Sequence, residues 1–119
     1  MTAPLSKTRS RSRREQKRFP AFLWKIRGCP CLICGAQAEA AHVRMSSAAH
    51  GKPFGRDDRW CAPLCPDHHR LAPDCQHNSR EETWWISHGI DVLAVCERLW
   101  EARDDREKML EICAEARAS

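Results

Sequence analysis

Two short pairs carry the side chains best suited to chemistry in this sequence. Cys31-Leu32-Ile33-Cys34 offers two thiols separated by two residues, and Cys65-Pro66-Asp67-His68 repeats that separation with a thiol and an imidazole. Sulfur and imidazole nitrogen at this spacing form the donor set of a tetrahedral structural Zn2+. Cys29 competes with Cys31 for the first position, but only Cys31 has the two-residue spacing to Cys34. His69 competes with His68 in the same way, and the matching spacing favours His68. Of the four further histidines that stand apart from the quartet, His42, within Ala41-His42-Val43-Arg44, and His77 are the candidates for chemistry. An imidazole titrates near neutrality and can accept a proton from water. A divalent ion held nearby would stabilise charge on a phosphate and its leaving oxygen.

These groups need elements to position them. Phe19, Phe22, Leu23 and Ile26 recur at helical spacing, which predicts a short helix ending near Gly28. Gly35 suits the tight backbone after the second cysteine. Ala38 to Val43 reads as a short strand with His42 near its end, and residues 45–59 as a charged loop. Trp60 to Leu64 is apolar and contains Pro63, so a short edge strand fits. Pro66 and Asp67 then open a helix with His68, His69 and Arg70 in its first turn, until Pro73 interrupts it.

The rest of the chain reads as helical. Ser79-Arg80-Glu81-Glu82 has the capping-box form ahead of Trp84, Trp85 and Ile86, with Gly89 as a stop. Asp91 can cap a helix whose Val92, Leu93, Val95, Cys96, Leu99 and Trp100 share an apolar face. A last amphipathic segment runs from about Asp105 to Ala116. The expected class is α+β and mainly helical. Residues 1–18 form a basic flexible arm, 19–78 a zinc-stapled module, and 79–119 C-terminal helices packed on it. Cys61, Cys75, Cys96 and Cys113 read as packing or spare thiols.

Composition narrows the classes. The 119 residues are too few for two comfortable cores, and 42% hydrophobic content is low enough that a metal crosslink would help an irregular middle section. Eight cysteines raise a secreted disulfide scaffold as an alternative. The amino terminus has no apolar signal-peptide core, and Cys96 and Cys113 fall in helical patterns, which favours reduced thiols and a cytoplasmic location. No apolar run approaches the roughly 20 residues of a membrane span.

The net charge of +4 is uneven: residues 1–28 carry nine Lys/Arg against one acid, and residues 79–119 six against ten. Such an arm suits a polyanion. Arg9, Arg11, Arg13, Arg14, Lys17 and Arg18, with Arg44 and Lys52 further on, are the expected phosphate contacts.

A strand ending in His, a loop, a second strand and a helix opening with His resembles the ββα-metal core of HNH (His-Me finger) endonucleases. More narrowly, the chain resembles the phage-derived Ref-like group of HNH nucleases. Carrying the resemblance are Pro30-Cys31-x2-Cys34-Gly35, Ala40-Ala41-His42-Val43-Arg44, Gly51-Lys52-Pro53 and Asp58-Arg59-Trp60. Pro63-Leu64-Cys65-x2-His68-His69, Gln76-His77 and Trp84-Trp85 through Asp91 complete it.

The resemblance implies a zinc-stapled ββα-metal module with flanking helices. In it Cys31, Cys34, Cys65 and His68 hold Zn2+, His42 is the general base, and His69 holds a catalytic Mg2+ or Mn2+. It implies DNA as partner and substrate, with a recombination or repair protein as a further candidate partner. Two positions depart from the pattern. Ala41 stands where many members have a second metal ligand, a role left to His77 or more weakly to His50. Trp60 falls where the middle asparagine is usual, leaving Asp58 or a main-chain carbonyl to orient the base. A non-catalytic zinc module that binds nucleic acid or a recombination partner is the competing expectation.

Overall fold

The computed structural model describes residues 17–118, so Arg9, Arg11, Arg13 and Arg14, and with them most of the basic arm, lie outside the described residues. The chain is α+β. Helix α1 (Pro20–Arg27) leads to a hairpin of β1 (Glu39–His42) and β2 (Cys61–Leu64). A single π-type turn (Asp67–Leu71) and a 3-10 turn (Gln76–Asn78) follow, and then α2 (Glu81–Ser87), α3 (Val92–Glu101) and α4 (Arg106–Ala118).

Helix α1 begins with Pro20, whose fixed φ suits a first turn, and buries Phe22 and Ile26. It stops at Gly28, whose N–H donates to the carbonyls of Trp24 and Lys25. The two strands pair antiparallel, with Glu39 opposite Leu64 and His42 opposite Cys61. All four β2 residues are buried. Pro63 lacks a ladder donor, but its carbonyl accepts the Leu32 N–H at 3.0 Å and stitches the cysteine knuckle to the hairpin.

One local expectation holds in extent and another changes. The helix anticipated between Pro66 and Pro73 is a single π-type turn, in which the Ala72 N–H donates to the Asp67 carbonyl. Ala72 precedes Pro73, which disfavours the α region, and its ψ of 150° is extended. The anticipated capping box at Ser79 does not form. Arg80 occupies the cap position without a side-chain bond, and the Ser79 hydroxyl donates instead to the Cys75 carbonyl at 2.7 Å. Glu81 and Glu82 still occupy the first turn of α2, where the helix dipole favours acids.

The helix ends downstream agree with their signals. Gly89 takes φ +70° just after α2. Its N–H donates to Ile86 and that of Ile90 to Trp85, the two bonds of a Schellman stop. Asp91 caps α3 by accepting the Ala94 N–H. One cluster of buried residues, from Phe22 through Leu64 and Trp85 to Ala116, joins the strands to the helices. Trp100 of α3 receives Phe19 and Phe22 at ring separations of 4.8 and 5.0 Å, docking α1 against the C-terminal helices. Among the described residues no helix is long and apolar enough to cross a membrane.

Candidate functional site

The cysteine knuckle is a tight hairpin. Cys31 N–H donates to the Ala36 carbonyl, Gly35 N–H donates to Cys31, and Gly35 adopts φ +79°, a value that costs glycine little. Opposite it, the turn after β2 delivers Cys65 and His68. The donor atoms of Cys31, Cys34, Cys65 and His68 all lie within 4.8 Å of one another, a cluster that could hold a metal ion such as zinc. The Cys34 and Cys65 sulfurs are 3.7 Å apart, and His68 Nδ1 lies 3.8 Å from Cys31 and 3.1 Å from Cys65. A tetrahedron with metal–sulfur bonds of about 2.3 Å has an edge of about 3.8 Å, so the donor set fits.

Electrostatics around the sulfurs differ by position. Burial pushes the Cys31 thiol up, but hydrogen bonds from the Cys34, Cys65 and Ile33 backbone outweigh it and hold the group below its ordinary value. Burial and the neighbouring thiols push Cys65 up to about 11. Cys29 is directed elsewhere, with Sγ donating to the Lys25 carbonyl at 3.4 Å, and plays no part in the cluster.

His69 turns away from the thiols. Its Nδ1 lies 2.6 Å from Glu39 Oε1, on the first residue of β1, and its ring meets the His77 ring edge-on at 4.6 Å. Arg70 grips both oxygens of Glu39 and, as the largest influence, holds that carboxyl below the usual carboxylate range. Burial, reinforced by the His69 and Arg44 charges, depresses His77 below an ordinary imidazole. The candidate ligands His69 and His77 are therefore brought together, and Glu39 is their unanticipated companion.

His42 belongs to a second constellation. Its Nε2 lies 2.9 Å from Oδ1 of Asp58, a buried carboxylate whose other oxygen accepts the Phe19 N–H at 2.7 Å. With the carboxylate accepting, Nε2 carries a proton, so in the neutral imidazole the lone pair lies on Nδ1. Among the described residues no hydrogen bond or ring contact joins His42 to His69. Gln76, the chain neighbour of His77, donates through its amide to the His42 carbonyl and to Glu81. Glu81 also accepts from the Arg44 N–H and the Trp85 indole.

His50, the weaker ligand candidate, pairs with Glu97 of α3. The expected phosphate contacts divide. Lys17, Arg18 and Arg44 are exposed, whereas Lys52 is 3% exposed, with Nζ donating to the carbonyls of Pro53 and Gly55. Lys52 is thus a loop anchor rather than a surface cation, and burial lowers its pKa. Comparison of the chain with family profiles, curated proteins and solved structures finds no match.

Glu39 and Glu81 are the site residues that sequence reasoning missed. Each looks like an ordinary solvated acid in the sequence, and neither is marked by spacing to its partners.

Proposed function

We propose that this protein is a metal-dependent DNA endonuclease of the HNH type, stapled by a structural Zn2+ on Cys31, Cys34, Cys65 and His68. One observation carries the reading: both histidines assigned to the chemistry are tied by one ring nitrogen to a carboxylate, His42 to Asp58 and His69 to Glu39. Such pairing fixes the tautomer and aims the other nitrogen, as required of a general base and of a metal-ligating imidazole. Asp58 takes the orienting role that an asparagine would otherwise fill. His42 Nδ1 accepts the proton of the attacking water, and Arg44, two residues on, is placed to meet a phosphate.

The metal donor set needs separate consideration. His69 and His77 supply imidazoles, and Glu39 is already shared with Arg70. Imidazole donors suit transition ions ahead of oxygen-seeking Mg2+, so Mg2+ fits this pair poorly and a borderline ion fits it better. Bound there, such an ion would supply charge stabilisation at the phosphate.

The test is conversion of supercoiled plasmid by the zinc-loaded protein, with EDTA, Mg2+ or Mn2+, for the wild type and His42→Ala. Metal-dependent nicking by the wild type alone supports the reading, and equal nicking by both proteins removes His42 as base. A non-catalytic zinc module that binds nucleic acid is the second reading. It is favoured by Ala41 at a usual ligand position and by the absence of a direct contact between His42 and His69. DNA binding without cleavage by zinc-loaded protein under every metal would select it.

A further inference from the structure

Phe54 is 81% exposed, the most exposed of the large apolar side chains among the described residues. It sits on the loop between the two strands, and that loop is anchored. Ser47 and Lys52 pair through two backbone bonds of 2.8 Å, and the buried Lys52 ammonium holds the carbonyls on either side of Phe54. A hydrophobic ring held in water by a braced loop gains nothing from burial in its own chain.

Its surroundings hold two arginines and are attached to the site. Phe54 lines a cavity of about 360 Å³ with Arg44, Met45, Arg80, Glu81 and Glu82. The guanidinium groups of Arg44 and Arg80 are exposed and have no carboxylate partner among the described residues. Both Glu81 oxygens are engaged by neutral donors, Arg44 N–H, Gln76 and Trp85, so they bind neither guanidinium, although Glu81 and Glu82 together match the two arginines in charge. Through Gln76 the cavity floor connects to the His42 carbonyl.

We propose that this pocket receives an unpaired nucleobase on Phe54 while Arg44 and Arg80 hold its flanking phosphates. The favoured substrate is then DNA with single-stranded character beside the scissile bond. The inference rests on the nuclease reading for its substrate, but stacking is a binding property that does not require cleavage. Aromatic platforms serve single strands because every base has a π-face, whereas in a duplex those faces already stack on one another.

The experiment is fluorescence anisotropy with a labelled mixed-sequence 20-nucleotide strand and its duplex. It uses the full-length zinc-loaded protein at fixed salt without added catalytic metal. Phe54→Ala should weaken single-strand binding by about 5- to 100-fold and leave duplex binding unchanged, while Phe54→Trp should retain it. Arg44→Ala and Arg80→Ala should weaken it too and flatten its salt dependence. Unchanged single-strand affinity in Phe54→Ala, or an equal loss on both DNA forms, would overturn the proposal. Absence of plasmid nicking by the wild type under every metal would instead refute the nuclease reading, so the two failures are distinguishable.

Discussion

His42 and His69 each commit one ring nitrogen to a carboxylate, and the two carboxylates differ in what else they hold. Asp58 is buried and also accepts the Phe19 N–H, so it couples His42 to the start of α1. On the proposed nuclease reading, His42→Ala should lower nicking by about 10²- to 10⁴-fold while DNA affinity, read by anisotropy, stays put. Glu39 is more exposed and is shared with Arg70. Glu39→Gln should raise the metal concentration needed for half-maximal nicking by about 10- to 100-fold, the effect usual for an outer-shell partner. An unchanged half-maximal metal concentration would show that Glu39 does not act as the outer-shell partner of a metal-bound His69. The pH signs agree for Glu39 and His77. Glu39 has a folded pKa below its unfolded one, so its contribution is present above the carboxylate range and fades as pH falls through the folded value. His77 is also depressed, so the unfolded chain takes up its proton first as pH falls, and stability drops through the imidazole range. Melting temperatures measured from neutral to mildly acid pH should fall less in His77→Gln than in the wild type.

At the scale of elements, the helix ends provide contrasting tests. Asp91 makes a cap bond to Ala94, and Ser79, despite its capping-box context, makes none to α2. Urea unfolding should therefore show Asp91→Ala costing about 1 kcal/mol, and more than Ser79→Ala. Gly89 sits at φ +70°, where an L side chain is strained, so Gly89→Ala should cost about 1–2 kcal/mol. The π-type turn is the opposite case. It is too short to stabilise itself, and its bonds to Cys65 and Asp67 are few. Its order comes from Cys65 and His68 at one side and the Glu39 contacts at the other.

Across the whole molecule, the candidate metal cluster and the helices share a single core rather than two. The knuckle is also tied to α4 directly, since Arg117 donates to the Cys31 carbonyl and Arg106 to that of Gly28. Stripping the metal with a strong chelator should thus lower the melting temperature of the whole chain in one transition. Far-UV circular dichroism of α3 and α4 and near-UV signals of the tryptophans should report it together. Elemental analysis should give one zinc per chain, lost in Cys65→Ala. Two separate transitions would mean that the metal module and the C-terminal helices are independent.

Much of this organisation is set by short-range chemistry. The two Cys-x2 pairs, the periodicity of α1 and α3, the Gly89 stop and the Asp91 cap depend on neighbours a turn or two away, so the chain order alone reveals them. The single helical turn at Asp67 is also encoded locally, by Pro73. What depends on approach between distant segments is hidden. Glu39 and His69 are 30 positions apart, Asp58 and His42 are 16, and Lys25 reaches Arg103 across 78. An acid in the sequence has the same composition whether it orients a histidine, as Glu39 does, or points into water. Only the pairing of β1 with β2 brings the first residue of one strand to the turn that follows the other. Lys52 reads as a surface cation until the loop closes over it and its ammonium finds carbonyls instead of solvent. Spacing identifies which groups could act, and long-range packing decides which of them meet.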